Sequence, residues 1–348
     1  MPSFAASSRS LTLSLLSAAV LAACGGGSDA DATPAPPTTP PTTTPPTTSQ
    51  NQIDSFTIAG YPHAVEAYRP MGASRAIVFL HGGGGTLHAI AYQVFLHGGG
   101  GTLHAIAYQM GLKTTIEDAP TLDTVNWPAL QSAGVIAVFP QGQSIAGNAR
   151  TWRNHAMDSG QDDLAFLQAL AAELRRRYGI GNVALAGHSM GGVMVNRVWC
   201  EAPSTFQSYV SISGPASSHY LNAATPCPQP GRAPYLGLFG SADAVIPGAW
   251  EAPTWTVNPL VIGLQPSAFV NPVMAGEWQA FQARAQAMCG ETPALMAATQ
   301  AGGASRWQAC GGRLQVQLAY GAGHGIDSIA NAIGQPAFGL VAGFSAAR

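Results

Sequence analysis

Val183-Ala184-Leu185-Ala186-Gly187-His188-Ser189-Met190-Gly191-Gly192-Val193-Met194-Val195-Asn196-Arg197-Val198-Trp199 is the stretch that decides the fold. Its first four residues read as a buried strand, and the run after Gly192 reads as a helix. Between them stands Gly-x-Ser-x-Gly. A turn this tight between strand and helix needs glycine on both sides of the serine, and it leaves the Ser189 hydroxyl accessible as a nucleophile. With 41 glycines in 348 residues, however, the pentapeptide arises readily by chance. Its surroundings must therefore carry the reading.

Those surroundings alternate. An opening strand pair at 56–58 and 64–68 is followed by short apolar runs at 76–80, 135–139, 183–186, 209–212, 235–239 and 314–319. A helix over 162–178 puts Leu164, Leu167, Leu170 and Leu174 on one face and closes with Arg175, Arg176 and Arg177. Strands separated by helices predict an α/β fold, a mostly parallel sheet with helices on both faces. In such sheets chemistry gathers at the carboxyl ends of strands.

Two further residues stand at such ends: Asp243 in Gly240-Ser241-Ala242-Asp243, and His324 in Gly321-Ala322-Gly323-His324-Gly325. A serine hydroxyl is a poor nucleophile until a neutral imidazole takes its proton, and a carboxylate fixes the tautomer of that imidazole. The order Ser189, Asp243, His324 is that of α/β-hydrolases rather than of the chymotrypsin or subtilisin types. Asp327, three residues beyond His324, is poorly placed to reach the far edge of the ring. An oxyanion hole then needs two donors, the N–H of Met190 and one from a glycine-rich loop after an earlier strand. His81-Gly82-Gly83-Gly84-Gly85 supplies that loop, with Gly83 as the expected donor. No Gly-Lys-Ser/Thr follows it, which argues against a phosphate-binding loop.

That loop is written twice. Residues 78–93 are repeated letter for letter as 94–109, so Gly99 is an alternative to Gly83. One tandem repeat does not make a solenoid. The least costly arrangement keeps 76–80 as the strand and 102–112 as the helix and leaves the surplus in the loop, since lengthening a loop costs little entropy. The rival arrangement puts 94–96 in the sheet and carries Gln93 into a buried strand.

The N-terminus reads as an address. Residues 1–23 have the form of an export signal with Arg9 ahead of a short apolar stretch, and Leu21-Ala22-Ala23-Cys24 resembles a bacterial lipobox that lipidates Cys24. Residues 24–50 are Thr- and Pro-rich and predict an extended tether, which leaves 51–348 as one catalytic domain. Charged residues make up 9%, Lys113 is the only lysine and the net charge is −2, so no basic patch points to nucleic acid. Cys200, Cys227, Cys289 and Cys310 suggest two disulfides, as an exported protein favours. Three connectivities are open, and the expectation is the local one, Cys200 with Cys227 and Cys289 with Cys310. No Cys-x-x-Cys or Cys/His cluster calls for a metal.

Taken together, Gln161-Asp162-Asp163-Leu164-Ala165-Phe166-Leu167, Arg177-Tyr178-Gly179-Ile180, the elbow from Gly187 to Gly192, Cys200-Glu201-Ala202-Pro203, the turn from Gly240 to Asp243 and Gly323-His324-Gly325 resemble the poly(3-hydroxybutyrate) depolymerase and feruloyl/acetylxylan esterase-like group of α/β-hydrolases, over about residues 53–345. The resemblance implies ester hydrolysis through an acyl-enzyme on Ser189, Asp243 and His324. No cofactor is expected, and the chain is expected to act as a monomer anchored to the cell envelope through the lipidated Cys24. The cysteines also look like those that pair in that group. Trp152 and His188 are candidate substrate contacts, and the segment 245–275, with Trp250 and Trp255, is a candidate wall of the site. The alternative is a surface lipoprotein that keeps the fold for binding after its altered oxyanion loop has ended catalysis. A peptidase is a weaker third reading.

Overall fold

The apolar runs become strands because the sheet hides both of their faces. β1 (Gln52–Thr57), β2 (Ala64–Arg69), β3 (Arg75–Leu80), β4 (Val135–Pro140), β5 (Gln143–Ser144), β6 (Arg150–Thr151), β7 (Asn182–His188), β8 (Tyr209–Ile212), β9 (Tyr235–Gly240), β10 (Thr299–Gln300), β11 (Ala304–Ala309) and β12 (Leu314–Ala319) follow in chain order. Every residue of β4, β8, β9 and β12 is buried. The main sheet has the order β1-β2-β4-β3-β7-β8-β9-β12-β11-β10, and β5 and β6 pair separately. From β4 to β12 neighbouring strands are parallel, and the antiparallel pairs β1–β2 and β11–β10 extend the two sides. This is the α/β-hydrolase fold.

The computed structural model describes residues 50–83, 102–116, 118–144, 150–155, 158–221, 227, 233–243, 245 and 272–346. All belong to one unit, Thr44–Arg348. The expected signal, Cys24 and nearly all of the tether lie outside them, as do Gly99, Trp250 and Trp255. No helix among the described residues is long and apolar enough to cross a membrane.

The helices are α1 (Leu103–Gln109), α2 (Trp127–Ala133), α3 (Asp163–Tyr178), α4 (Met190–Glu201), α5 (Ser218–Leu221), α6 (Pro272–Cys289), α7 (Ile326–Ile333) and α8 (Ala337–Ala346). Side chains alternate across β3, so Ala76, Val78 and Leu80 enter one core with α3 and α4, while Ile77 and Phe79 enter the other with α1, α2, α7 and α8. α3 buries Phe166, Leu167, Leu170 and Leu174, with Leu164 at the margin. Each fully buried side chain of this kind contributes about 2 kcal/mol, which outweighs the helix's modest intrinsic propensity. Asp162 starts α3 by accepting from the Ala165 N–H at 3.1 Å, and Gly179, at φ 65°, ends it.

The expected strand and helix both form, while the surplus residues 84–101 lie outside the described residues. Copy one supplies the end of β3 from Val78 onward, paired with β4 and β7, and copy two supplies α1, capped by the Thr102 hydroxyl accepting from the Ala105 N–H at 3.1 Å. Gln141 joins the two copies, since its side-chain carbonyl accepts from the Leu103 N–H at 3.2 Å while its amide donates to His81 Nε2 at 2.8 Å. Deleting one 16-residue copy leaves the same sequence whichever is removed, and keeps every one of these partners. The expected result is a folded chain stabilised by about 1 kcal/mol through the shorter loop. A urea titration measures it, and a strongly destabilised deletion variant would mean that the second copy holds structure of its own.

Both disulfides form with the expected local pairing: Cys200–Cys227 and Cys289–Cys310, at Cα separations of 5.3 and 5.5 Å. The first fastens the end of α4 and the second joins α6 to the end of β11.

Candidate active site

Ser189 sits between β7 and α4 at φ 54° and ψ −120°, a conformation that non-glycine residues rarely adopt. Its neighbours explain how the turn is held. A Cβ at Gly187 would lie 2.4 Å from the Gly191 carbonyl oxygen, and one at Gly191 would lie 2.3 Å from that of Leu80. The second contact presses the elbow against the end of β3, where the glycine loop begins. The Ser189 N–H donates to the Ile212 carbonyl at 2.9 Å, which ties the elbow to β8.

Asp243 and His324 meet, and the His324 carbonyl bonds His188, the residue before Ser189. The His324 Nδ1–H donates to Asp243 Oδ2 at 2.7 Å, with both side chains buried. This bond orients the ring and leaves the Nε2 lone pair free to accept a proton. The other Asp243 oxygen accepts from the Val245 N–H at 2.9 Å. The two turns pack backbone to backbone: a Cβ at Gly240 would lie 2.3 Å from the carbonyl oxygens of Ala322 and Gly323, and the Ala242 N–H donates to the Ala322 carbonyl at 2.8 Å. Asp327 is exposed in the first turn of α7 against Gly325, while Asp243 holds the ring.

Around the glycine loop the network is dense. The His81 Nδ1–H donates to the Gly82 carbonyl at 2.7 Å, and Nε2 accepts from the Gly142 N–H and the Gln141 amide, both at 2.8 Å. This arrangement needs a neutral ring. Burial lowers the His81 pKa to about 4, so the ring is neutral near pH 7. Gly83, half-buried, follows this clamp directly. Met190 opens α4, where N–H groups have no acceptor within the helix. The segments that carry the two expected oxyanion donors, Met190 and Gly83, are in mutual contact, since a Cβ at Gly191 would lie 2.3 Å from the Leu80 carbonyl oxygen and 2.6 Å from that of His81; the rival loop around Gly99 lies outside the described residues.

Two expectations need correction. Trp152 is fully buried in the core, its indole N–H donates to the His81 carbonyl at 2.9 Å, and its ring packs against His81 and His63. It supports the glycine loop from beneath and presents no face to a substrate. His188 is also fully buried, with Nε2 donating to the His324 carbonyl at 2.9 Å. The side chain of His188 points into the protein, where it touches the backbone of His324.

Sequence reading missed the supports of the elbow. Asn154 donates to the Met190 carbonyl at 2.8 Å, and buried Asp163 accepts from Ser159, from the Arg153 N–H and from His63, which holds the 152–155 segment in place. Beneath the elbow, Asn196 donates to the Gly214 carbonyl at 2.8 Å and accepts from Arg284 at 2.6 Å and Tyr235 at 3.0 Å. Glu277, whose pKa is raised by burial, accepts from the Ala216 N–H at 2.7 Å. A glutamate and an arginine seven residues apart on an otherwise uncharged helix were the sequence signal of this network.

Burial lowers the His188 pKa to about 3, with the proximity of His324 adding to the effect. Both His81 and His188 therefore titrate below their ordinary 6.5 in the folded chain. The unfolded chain binds protons first as the pH falls, so each group withdraws stability between pH 6.5 and its folded pKa. Glu277 has the opposite sign. The expected result is that the melting temperature drops from pH 7 to pH 4.5 and that His188→Gln makes the slope shallower. An identical slope in the variant would contradict the buried neutral His188.

No known protein family matches the chain, and no curated protein does. Among solved structures the chain is similar to acetyl xylan esterase from Aspergillus awamori, at 14% identity over 81% of this chain and 99% of that one, with a TM-score of 0.47. It is also similar to TT1662 from Thermus thermophilus, at 15% identity over 86% and 100% of the two chains, with a TM-score of 0.48. A third is XC6422 from Xanthomonas campestris, a member of the a/b serine hydrolases without a lid, at 14% identity over 80% and 87%, with a TM-score of 0.41. At such identities the likeness is one of fold.

Proposed function

We propose that the chain is an exported serine hydrolase that cleaves carboxylic esters through an acyl-enzyme. The observation that carries this reading is the buried 2.7 Å bond between His324 Nδ1 and Asp243 Oδ2 beside a serine at φ 54° on a glycine-flanked elbow. In this reading Ser189 Oγ attacks the ester carbonyl as His324 Nε2 takes its proton. The N–H groups of Met190 and Gly83 hold the oxyanion, and the alcohol leaves with the proton from His324. Water, deprotonated by the same nitrogen, then attacks the acyl group and frees Ser189.

The clamp on His81 supports catalysis over a binding role for the fold alone, because it holds the loop of copy one against the elbow despite the duplication. The two disulfides and the sequence of residues 1–50 support export with a lipid anchor at Cys24. The substrate class we propose is a hydroxyalkanoate polyester or its oligomers, or the feruloyl and acetyl esters of polysaccharides. The test is a substrate panel for purified residues 51–348: p-nitrophenyl butyrate, polyhydroxybutyrate with its oligomers, acetylated xylan and feruloylated arabinan. Hydrolysis of p-nitrophenyl butyrate and of one natural class is expected. Cleavage of peptide anilides with no ester turned over would contradict the proposal.

A further inference from the structure

His324 stands in an unusually free stretch of chain. Gly321, at φ 68°, Gly323 and Gly325 surround it, and glycine gives a backbone more conformations to lose than any other residue. Asp243 fixes the ring at Nδ1 but does not fix the backbone that carries the ring. The His324 carbonyl accepts two hydrogen bonds, from His188 Nε2–H at 2.9 Å and from the Ser213 hydroxyl at 3.0 Å. A carbonyl has two lone pairs, so both are used. His188, Ser213 and the His324 side chain are all buried.

We propose that His188 and Ser213 form a two-donor clamp that positions the backbone of His324, joining the nucleophile turn, the end of β8 and the base turn into one unit. The proposal rests on reading Ser189, Asp243 and His324 as the triad. His188 precedes Ser189 directly, so one dipeptide supplies both the nucleophile and a hold on its base. Ser213 is anchored independently, since its N–H donates to the Leu238 carbonyl at 2.8 Å, and its φ of 48° turns the chain there. Next to it, a Cβ at Gly214 would lie 2.6 Å from the Ser189 carbonyl oxygen. The same short segment therefore touches the nucleophile and holds the base.

The other nitrogen of His188 supports a dedicated role. Nδ1 is buried without a hydrogen-bond partner. Burying an unpaired acceptor is unfavourable, and an apolar side chain would avoid that cost. The use of histidine here is the single donor that it directs at His324. Among the described residues the carboxylate bonded to the base is Asp243, at the ring and not at the carbonyl. Neither His188 nor Ser213 is a proton carrier in this scheme. They are positioning residues.

The test compares His188→Leu, which removes the donor and fills the space, His188→Gln, which keeps an N–H at the same reach, and Ser213→Gly, which removes the hydroxyl and suits the positive φ. Each is assayed on p-nitrophenyl butyrate and for its rate of inactivation by phenylmethylsulfonyl fluoride, with Ser189→Ala in parallel. Misplacing a reacting group by about 1 Å costs up to about 100-fold. The expected result is a kcat lower by about 10- to 100-fold for His188→Leu and by several-fold for Ser213→Gly, with KM within about twofold and inactivation slowed in proportion. His188→Gln should recover most of the loss. Wild-type kcat in both donor-removing variants, or a Gln variant as impaired as the Leu variant, overturns the clamp. If His188→Leu fails to fold, Ser213→Gly decides by the same criterion. Activity retained by Ser189→Ala would instead overturn the triad, which separates the two failures.

Discussion

Ser189→Ala hydrolyses p-nitrophenyl butyrate about 10⁴- to 10⁶-fold more slowly than the wild type, at an unchanged melting temperature. The rate loss follows from chemistry, since without Oγ there is no acyl-enzyme and only the oxyanion donors and substrate binding remain. The unchanged stability follows from structure. The Ser189 side chain caps nothing in α4, and the turn is held by backbone contacts through Gly187, Gly191 and Gly214. Alanine must adopt the same φ of 54°, at a cost close to that of serine. Steady-state kinetics with thermal melts check both parts. A loss below about tenfold would place the nucleophile elsewhere.

Asp243→Asn gives the second largest effect, a fall in kcat of about 10⁴-fold with little change in KM. Asparagine fills the same volume and can still accept from the Val245 N–H, as the Asp243 Oδ1 does at 2.9 Å. What it lacks is charge. An amide N–H turned toward His324 favours the tautomer with the proton on Nε2, which cannot take one from Ser189. An amide carbonyl turned there leaves the imidazolium without its counter-ion. Either orientation spares binding and disables proton transfer. If Asp243→Asn retained most of its kcat while Asp327→Asn lost it, the acid would have been assigned to the wrong turn.

Much of this was legible in the sequence, for identifiable reasons. A parallel sheet buried on both faces demands continuous apolar runs, and β4, β8 and β9 are written that way. β11 was not read, because an antiparallel strand with Ser305, Arg306 and Gln308 resembles a loop until β12 lies beside it. The elbow at Ser189 and the pairing of Asp243 with His324 were legible because a tight strand-to-helix turn needs glycines around the serine, and because the two partners each follow a strand. The allocation of the two copies also followed from the sequence, since loop closure favours surplus residues in a connection.

What was not legible is how tertiary contacts use each side chain. An aromatic residue in a loop after a strand reads equally well as a substrate platform or as core, and only the bond from Trp152 to the His81 carbonyl decides between them. The partner of His188 is a backbone carbonyl 136 residues away, and a backbone acceptor leaves no trace in residue identity. The same holds for Asn196 under the elbow. Polar residues buried beneath an active site are read from packing rather than from pattern.

The central claim is that Ser189, activated by His324, is the nucleophile. Mass spectrometry of the chain after exposure to phenylmethylsulfonyl fluoride tests it most directly. The account predicts a single adduct on the peptide containing Ser189, formed in step with loss of esterase activity and absent from Ser189→Ala. An adduct on another serine that accounts for the lost activity, or full inactivation of the protein with Ser189 unmodified, would contradict it.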